Sequence, residues 1–134
     1  MPHPIMFRDD DPVLARVRKV ALSFPDAYEK VSHGRPAFFV AKMFAMYGGS
    51  VKPEAKGEYV QYPQSVLVKV DDSDRQALQQ DGRFFCPAYL GPSGWLGLDL
   101  TATRDIDWTE VRELIDASFR LTAPKKLVKQ LDDA

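Results

Sequence analysis

Few residues in this 134-residue chain are of a type that makes or breaks bonds at neutral pH. There are two histidines, His3 and His33, thirty positions apart, and one cysteine, Cys86. Neither histidine falls in a metal-ligating spacing, and a lone cysteine excludes both a multi-cysteine zinc site and an intrachain disulfide. Cys86 precedes Pro87 in an aromatic run, which predicts a buried structural thiol rather than a nucleophile. Gly91-Pro92-Ser93-Gly94 lacks the spacing of a nucleophile elbow, and no phosphate loop is present. The Asp9-Asp10-Asp11 run reads as a solvated helix-start cluster, not a calcium loop. These residues call for no metal, no cofactor and no catalytic assignment.

The run His33-Gly34-Arg35-Pro36 is of a different kind. Glycine opens backbone geometry closed to other residues, and Pro36 fixes the exit into a strand. His33 and Arg35 should project from a turn between strands. A guanidinium there is a natural partner for phosphate or another small anion, whereas the bland reading is a tight turn with a hydrogen-bonded histidine.

Charge is unevenly spread. The chain has 18 Lys+Arg against 19 Asp+Glu, a net −1 that excludes a strongly basic nucleic-acid binder but not a local basic patch. Residues 16–56 hold eight basic groups, among them Arg35, Lys42, Lys52 and Lys56, against three acids. Lys125 and Lys126 belong to a second basic cluster near the end of the chain. Aromatics interleave the first stretch, a composition that suits nucleic acid but also suits the core of a small sheet.

These residues need a scaffold, and the length allows one domain of 1–134 with its core over about 11–131. Hydrophobic residues make up 45% and charged residues 28%, which is ordinary globular usage. No apolar stretch reaches the roughly 18 residues that span a bilayer, and no targeting signal opens the chain, so no membrane partner and a cytoplasmic location are expected. Asp11 and Pro12 start a helix with Leu14, Val17, Ala21 and Phe24 on one face, ending at Phe24-Pro25. A short strand at 28–32 and a hairpin of 36–40 with 43–47 follow. Residues 48–64, with Gly48, Gly49, Pro53, Gly57 and Pro63, read as a long loop carrying an edge strand near Tyr59–Tyr62. A strand over 65–70, a helix over 74–81 closed by Gly82, and strands over 83–86 and 95–100 come next. The last long helix starts at Asp107, with Trp108, Val111, Ile115 and Phe119 as its buried stripe, and Pro124 separates a final amphipathic turn. The order is roughly αβββαββα, an α+β fold with a mostly antiparallel sheet.

Several blocks carry a resemblance. Lys30 to Phe38 (KVSHGRPAF), Lys42-Met43-Phe44-Ala45, Arg83 to Pro87, Tyr89 to Pro92, Gly94 to Leu98, and Ala123 to Leu127 stand in one order along the chain. Together they resemble the MmcQ/YjbR family of small bacterial proteins from about Val20 to Leu127. The resemblance implies one YjbR-like domain, likened to a double-wing DNA-binding fold. Two readings follow. In the first, Arg35, Lys42, Lys52, Lys56, Lys125 and Lys126 make weak electrostatic contacts to DNA phosphates. In the second, the His33–Arg35 turn and Trp95 serve a module that takes a small anionic ligand or a protein.

Overall fold

The computed structural model describes residues 4–53 and 57–134. Asp11 caps the first helix, α1 (Pro12–Ala21), its carboxylate accepting from the Val13 N–H at 2.9 Å, and Pro12 fills the first turn, where no N–H is needed. The helix stops at Ala21, a turn short of the Phe24-Pro25 stop expected, although Phe24 is still buried. Four strands follow: β1 (Tyr28–Ser32), β2 (Arg35–Val40), β3 (Lys42–Val51) and β4 (Val60–Lys69). Then come α2 (Asp72–Gln79), β5 (Phe84–Phe85), a single 3-10 turn, β6 (Trp95–Asp99), α3 (Trp108–Thr122) and α4 (Lys125–Asp132). The strands form one antiparallel sheet in the order β1-β2-β3-β4-β6-β5, so the α+β expectation holds.

Alternation along the strands sends side chains to opposite faces. Phe38, Phe44, Tyr47, Val66, Val68, Leu96 and Leu98 meet Leu14 and Val17 of α1 and Val111, Ile115 and Phe119 of α3 in one continuous core. Phe119 packs edge-on against Phe44 at 5.3 Å between ring centroids and lies 5.1 Å from Phe24. Ala37, Met46, Leu67 and Trp95 form a second, smaller cluster with Phe39, Met43, Phe85 and Leu90 packed on it. The long helices thus cover one face. No helix of eight residues or more packs on the other among the described residues; Met6, Tyr59 and residues 87–90 border it.

Four expectations need correction. Residues 48–64 are mostly strand: β3 runs on to Val51 and β4 begins at Val60, with the pairing irregular between Tyr47 and Gly49. Gly48 and Pro63 sit at that irregularity, so the residues that read as a loop mark a bulge. α2 starts two residues early, capped by Asp71, and ends at Gln79, so Gly82 closes nothing. Cys86 is exposed, because β5 ends at Phe85 and leaves the thiol at the surface beside the Gln79 amide, 3.3 Å away. Trp108 is only half-buried: it opens α3, and its ring lies under the Arg16 guanidinium of α1, 4.6 Å from the centroid. Val111, Ile115 and Phe119 are buried as expected.

Candidate functional site

The β1–β2 turn is two residues long, His33-Gly34, both with positive φ (52° and 81°), the pattern of a tight primed hairpin turn. Glycine is needed there for a second reason, since a Cβ at Gly34 would stand 2.1 Å from the Pro4 carbonyl oxygen. The next residue is Arg35. The period of the strand carries it, with Ala37 and Phe39, to the face away from the helices.

Arg35 lines a cavity of about 610 Å³ on that face. Phe39, Met43, Met46 and Leu67 supply its apolar floor, and residues 87–90 form a wall. The volume is within the range of small-molecule sites, and so is the make-up, mostly apolar with a few polar groups. His33 stands at the same cavity. Trp95 is buried in the cluster beneath it, beside Leu67, and does not line it.

Arg35 is 7% exposed. Its Nη2 donates to the Gln61 Oε1 of β4 at 2.6 Å, and Nη1 lies so close to Gly48 that a Cβ there would be 2.4 Å away. Among the described residues no carboxylate reaches it. Desolvation accordingly pushes its pKa below the usual arginine value. Among the described residues Arg75 also lacks a carboxylate: it donates to the Gly91 carbonyl at 3.1 Å, and its buried Nη1 has no partner. Three other arginines are the reverse. Arg18 holds Glu29 at 2.6 Å and Asp9 at 3.1 Å, and Arg83 holds Glu110 at 2.7 Å and Asp81 at 2.8 Å. Arg120 bridges Asp116 and Asp132, and all three have pKa values raised, chiefly by hydrogen bonds from Arg18 to Glu29, Arg83 to Glu110 and Arg120 to Asp116.

Two tyrosines flank the cavity, Tyr59 before β4 and Tyr89 in the wall. Their rings are near-parallel, 14° apart with centroids 6.2 Å apart, and their hydroxyls are 3.1 Å from each other. That hydrogen bond pushes the Tyr59 phenol up.

None of the described candidate lysines lines this cavity. Lys42 and Lys52 stand at opposite ends of β3, which at about 3.3 Å per residue separates them by roughly 30 Å. Lys125 and Lys126 open α4, whose Leu127 is buried in the helix-side core. Lys56 lies outside the described residues. Among the described residues no His, Cys, Asp and Glu side chains cluster to hold a metal ion, and no helix is long and apolar enough to cross a membrane.

Of the candidate residues, the structure places Arg35 and His33 at the cavity; Gln61, Tyr59, Tyr89 and the methionine floor were not among the candidates. The floor had a signal, the period of two along Met43, Met46 and Leu67 once the bulges are placed. Gln61 fell on the edge strand expected near Tyr59–Tyr62, but nothing in the sequence paired that strand with β3 and so brought it to Arg35. The family model described as YjbR matches residues 22–121, and the comparison with curated proteins found no match.

Proposed function

The chain belongs to the YjbR family, and on that premise we propose that it is a small-molecule-binding domain, its site the cavity on the open face of the sheet. The ligand is one that carries an anionic group on an apolar body. The observation that carries this reading is Arg35. A guanidinium taken almost wholly out of water normally comes with a carboxylate, because an uncompensated buried charge is costly. Among the described residues its one hydrogen-bond partner is a neutral amide oxygen, and Arg35 itself lines a cavity. A ligand carboxylate, sulfonate or phosphate would supply the missing charge with two-point geometry, while Phe39, Met43, Met46 and Leu67 take its apolar part.

The test is calorimetric titration with octanoate and with 2-naphthoate, on the wild-type protein and on Arg35→Met. At least one carboxylate should bind, and Arg35→Met should weaken it by about tenfold or more, as expected for loss of a charge-assisted hydrogen bond. Affinity unchanged in Arg35→Met, or no binding of either carboxylate, overturns the reading. Duplex DNA is titrated in parallel at about 50 mM salt, where electrostatic contacts are strongest. Duplex binding that weakens steeply with salt and survives Arg35→Met would move the function to the lysines.

A further inference from the structure

Tyr89 is the feature of this face that packing does not account for. It is 84% exposed, yet its backbone has φ +68°, a region that side chains of its size rarely enter. The Leu90 N–H donates to the Ala88 carbonyl at 2.8 Å across it, so Tyr89 is the centre of a γ-turn of the strained, positive-φ kind. The turn is fastened to the sheet, because the Ala88 N–H donates to the Ser50 carbonyl of β3 at 2.8 Å. The chain therefore accepts backbone strain to hold an aromatic ring out in water beside the cavity. Strain kept in this way marks a position with a task.

A second aromatic pair nearby shows what a closed stack looks like. Tyr62 and Phe85 lie 13° from parallel with centroids 4.2 Å apart. The Tyr59–Tyr89 pair is equally parallel at 6.2 Å, and a hydrogen bond between its hydroxyls is the polar link. One pair is packed shut. The other is aligned but loose, at the edge of an apolar cavity with a buried cation in its wall.

We propose that the ligand of this site is a planar aromatic anion, with Arg35 taking the anionic group and the ring of Tyr89, backed by Tyr59, stacking on the ligand's flat face. This rests on the small-molecule reading above and narrows it. Two aligned phenol faces reward a flat π-system through offset stacking, a geometry that a flexible alkyl chain cannot share. Tyr89 is then a specificity-determining residue: it separates aromatic from aliphatic anions of similar size.

The experiment compares 2-naphthoate with octanoate on wild type, Tyr89→Gly and Tyr89→Phe. Glycine removes the ring and also relieves the positive φ, so this variant should fold at least as stably as wild type, which thermal unfolding checks. Naphthoate should bind Tyr89→Gly about tenfold more weakly, within the range measured for single aromatic stacks, while octanoate affinity stays within about twofold. Tyr89→Phe keeps the stacking face, loses the hydroxyl pair, and should retain naphthoate. If octanoate binds wild type and naphthoate is indifferent to Tyr89→Gly, or if both ligands weaken equally, the stacking role is overturned and the small-molecule site stands. If neither carboxylate binds wild type, the site itself is overturned and the stacking role with it.

Discussion

The two faces of this sheet start from similar material and end differently. On the helix side, Phe44, Tyr47, Val66 and Leu96 are sealed under α1 and α3, and the buried polar group there is fully engaged. Ser118 of α3 accepts from the Lys69 N–H at 2.9 Å and donates to the Phe44 carbonyl at 2.6 Å, tying the helix to two strands. On the other side, Met46 and Leu67 are just as apolar and nearly as buried, but a cavity stands over them, and beside it is an arginine with no carboxylate partner among the described residues. The first face satisfies itself. The second leaves a buried cation beside a cavity, and the ligand proposed above would complete it; the contrast is between a face closed by its own packing and one that is not.

Removing a large side chain from each face tests the contrast most strongly. Phe119→Ala should destabilise by about 3–5 kcal/mol, since the ring is fully enclosed between Phe24 and Phe44 and the helix cannot collapse into the space. Met46→Ala should fall at or below the low end of the range for buried methionines, about 2 kcal/mol, because part of its surroundings is already empty. Urea unfolding of both variants at neutral pH gives the comparison. Equal losses would mean that the open face packs as tightly as the covered one.

The polar groups sharpen the same point at smaller magnitude. Ser118→Ala should cost about 1–3 kcal/mol, because the buried Phe44 carbonyl loses its donor and the half-buried Lys69 N–H its acceptor. Arg35→Met removes a buried charge that has no counter-charge among the described residues and substitutes an apolar chain of similar length. It should leave stability within about 1 kcal/mol of wild type, either way. A loss of several kcal/mol in Arg35→Met would identify Arg35 as a structural residue and weaken the binding reading directly.

How far the sequence revealed each face follows the same division. The covered face was largely legible: the Asp11-Pro12 start, the Asp107 cap and the helical spacing of Val111, Ile115 and Phe119 all stand where periodicity put them. Such elements are specified locally, by neighbours three or four residues away. The open face depends on where β3 and β4 pair across a bulge, and there the glycine and proline that normally end a strand lie inside one. Gln61 could not be joined to Arg35 before that pairing was known, nor Tyr59 to Tyr89, thirty residues on. Arg35 itself was visible from its turn, but its burial was not. Trp108 marks the opposite error, a correct helical position whose place in the first turn carries the ring to Arg16 rather than fully into the core.

The smallest expected effect concerns pH, and it too should belong to the covered face. Burial would raise the pKa of Asp11, but hydrogen bonds from the Tyr47 hydroxyl, the Val13 and Leu14 N–H groups and the Gln64 amide outweigh it, so the folded value lies below the usual 3.8. A carboxyl group depressed by folding contributes stability that is fully present above its unfolded value and is lost as pH falls through the folded one. Wild type should therefore exceed Asp11→Asn by about 1 kcal/mol at pH 6, the scale of one net hydrogen bond once solvent screening of this half-buried carboxylate is allowed for, and the gap should close as pH drops below 3.8. Asp81, held down to about 2 by its hydrogen bonds to Arg83, shifts both proteins alike and cancels in the difference. Arg35→Met should follow the wild-type profile over the same pH range, because the guanidinium keeps its charge throughout and no carboxylate of the described residues pairs with it. If Arg35→Met instead changed the acid limb, a carboxylate would have to be coupled to Arg35 in the folded protein, and the open face would no longer be the one left for a ligand to complete.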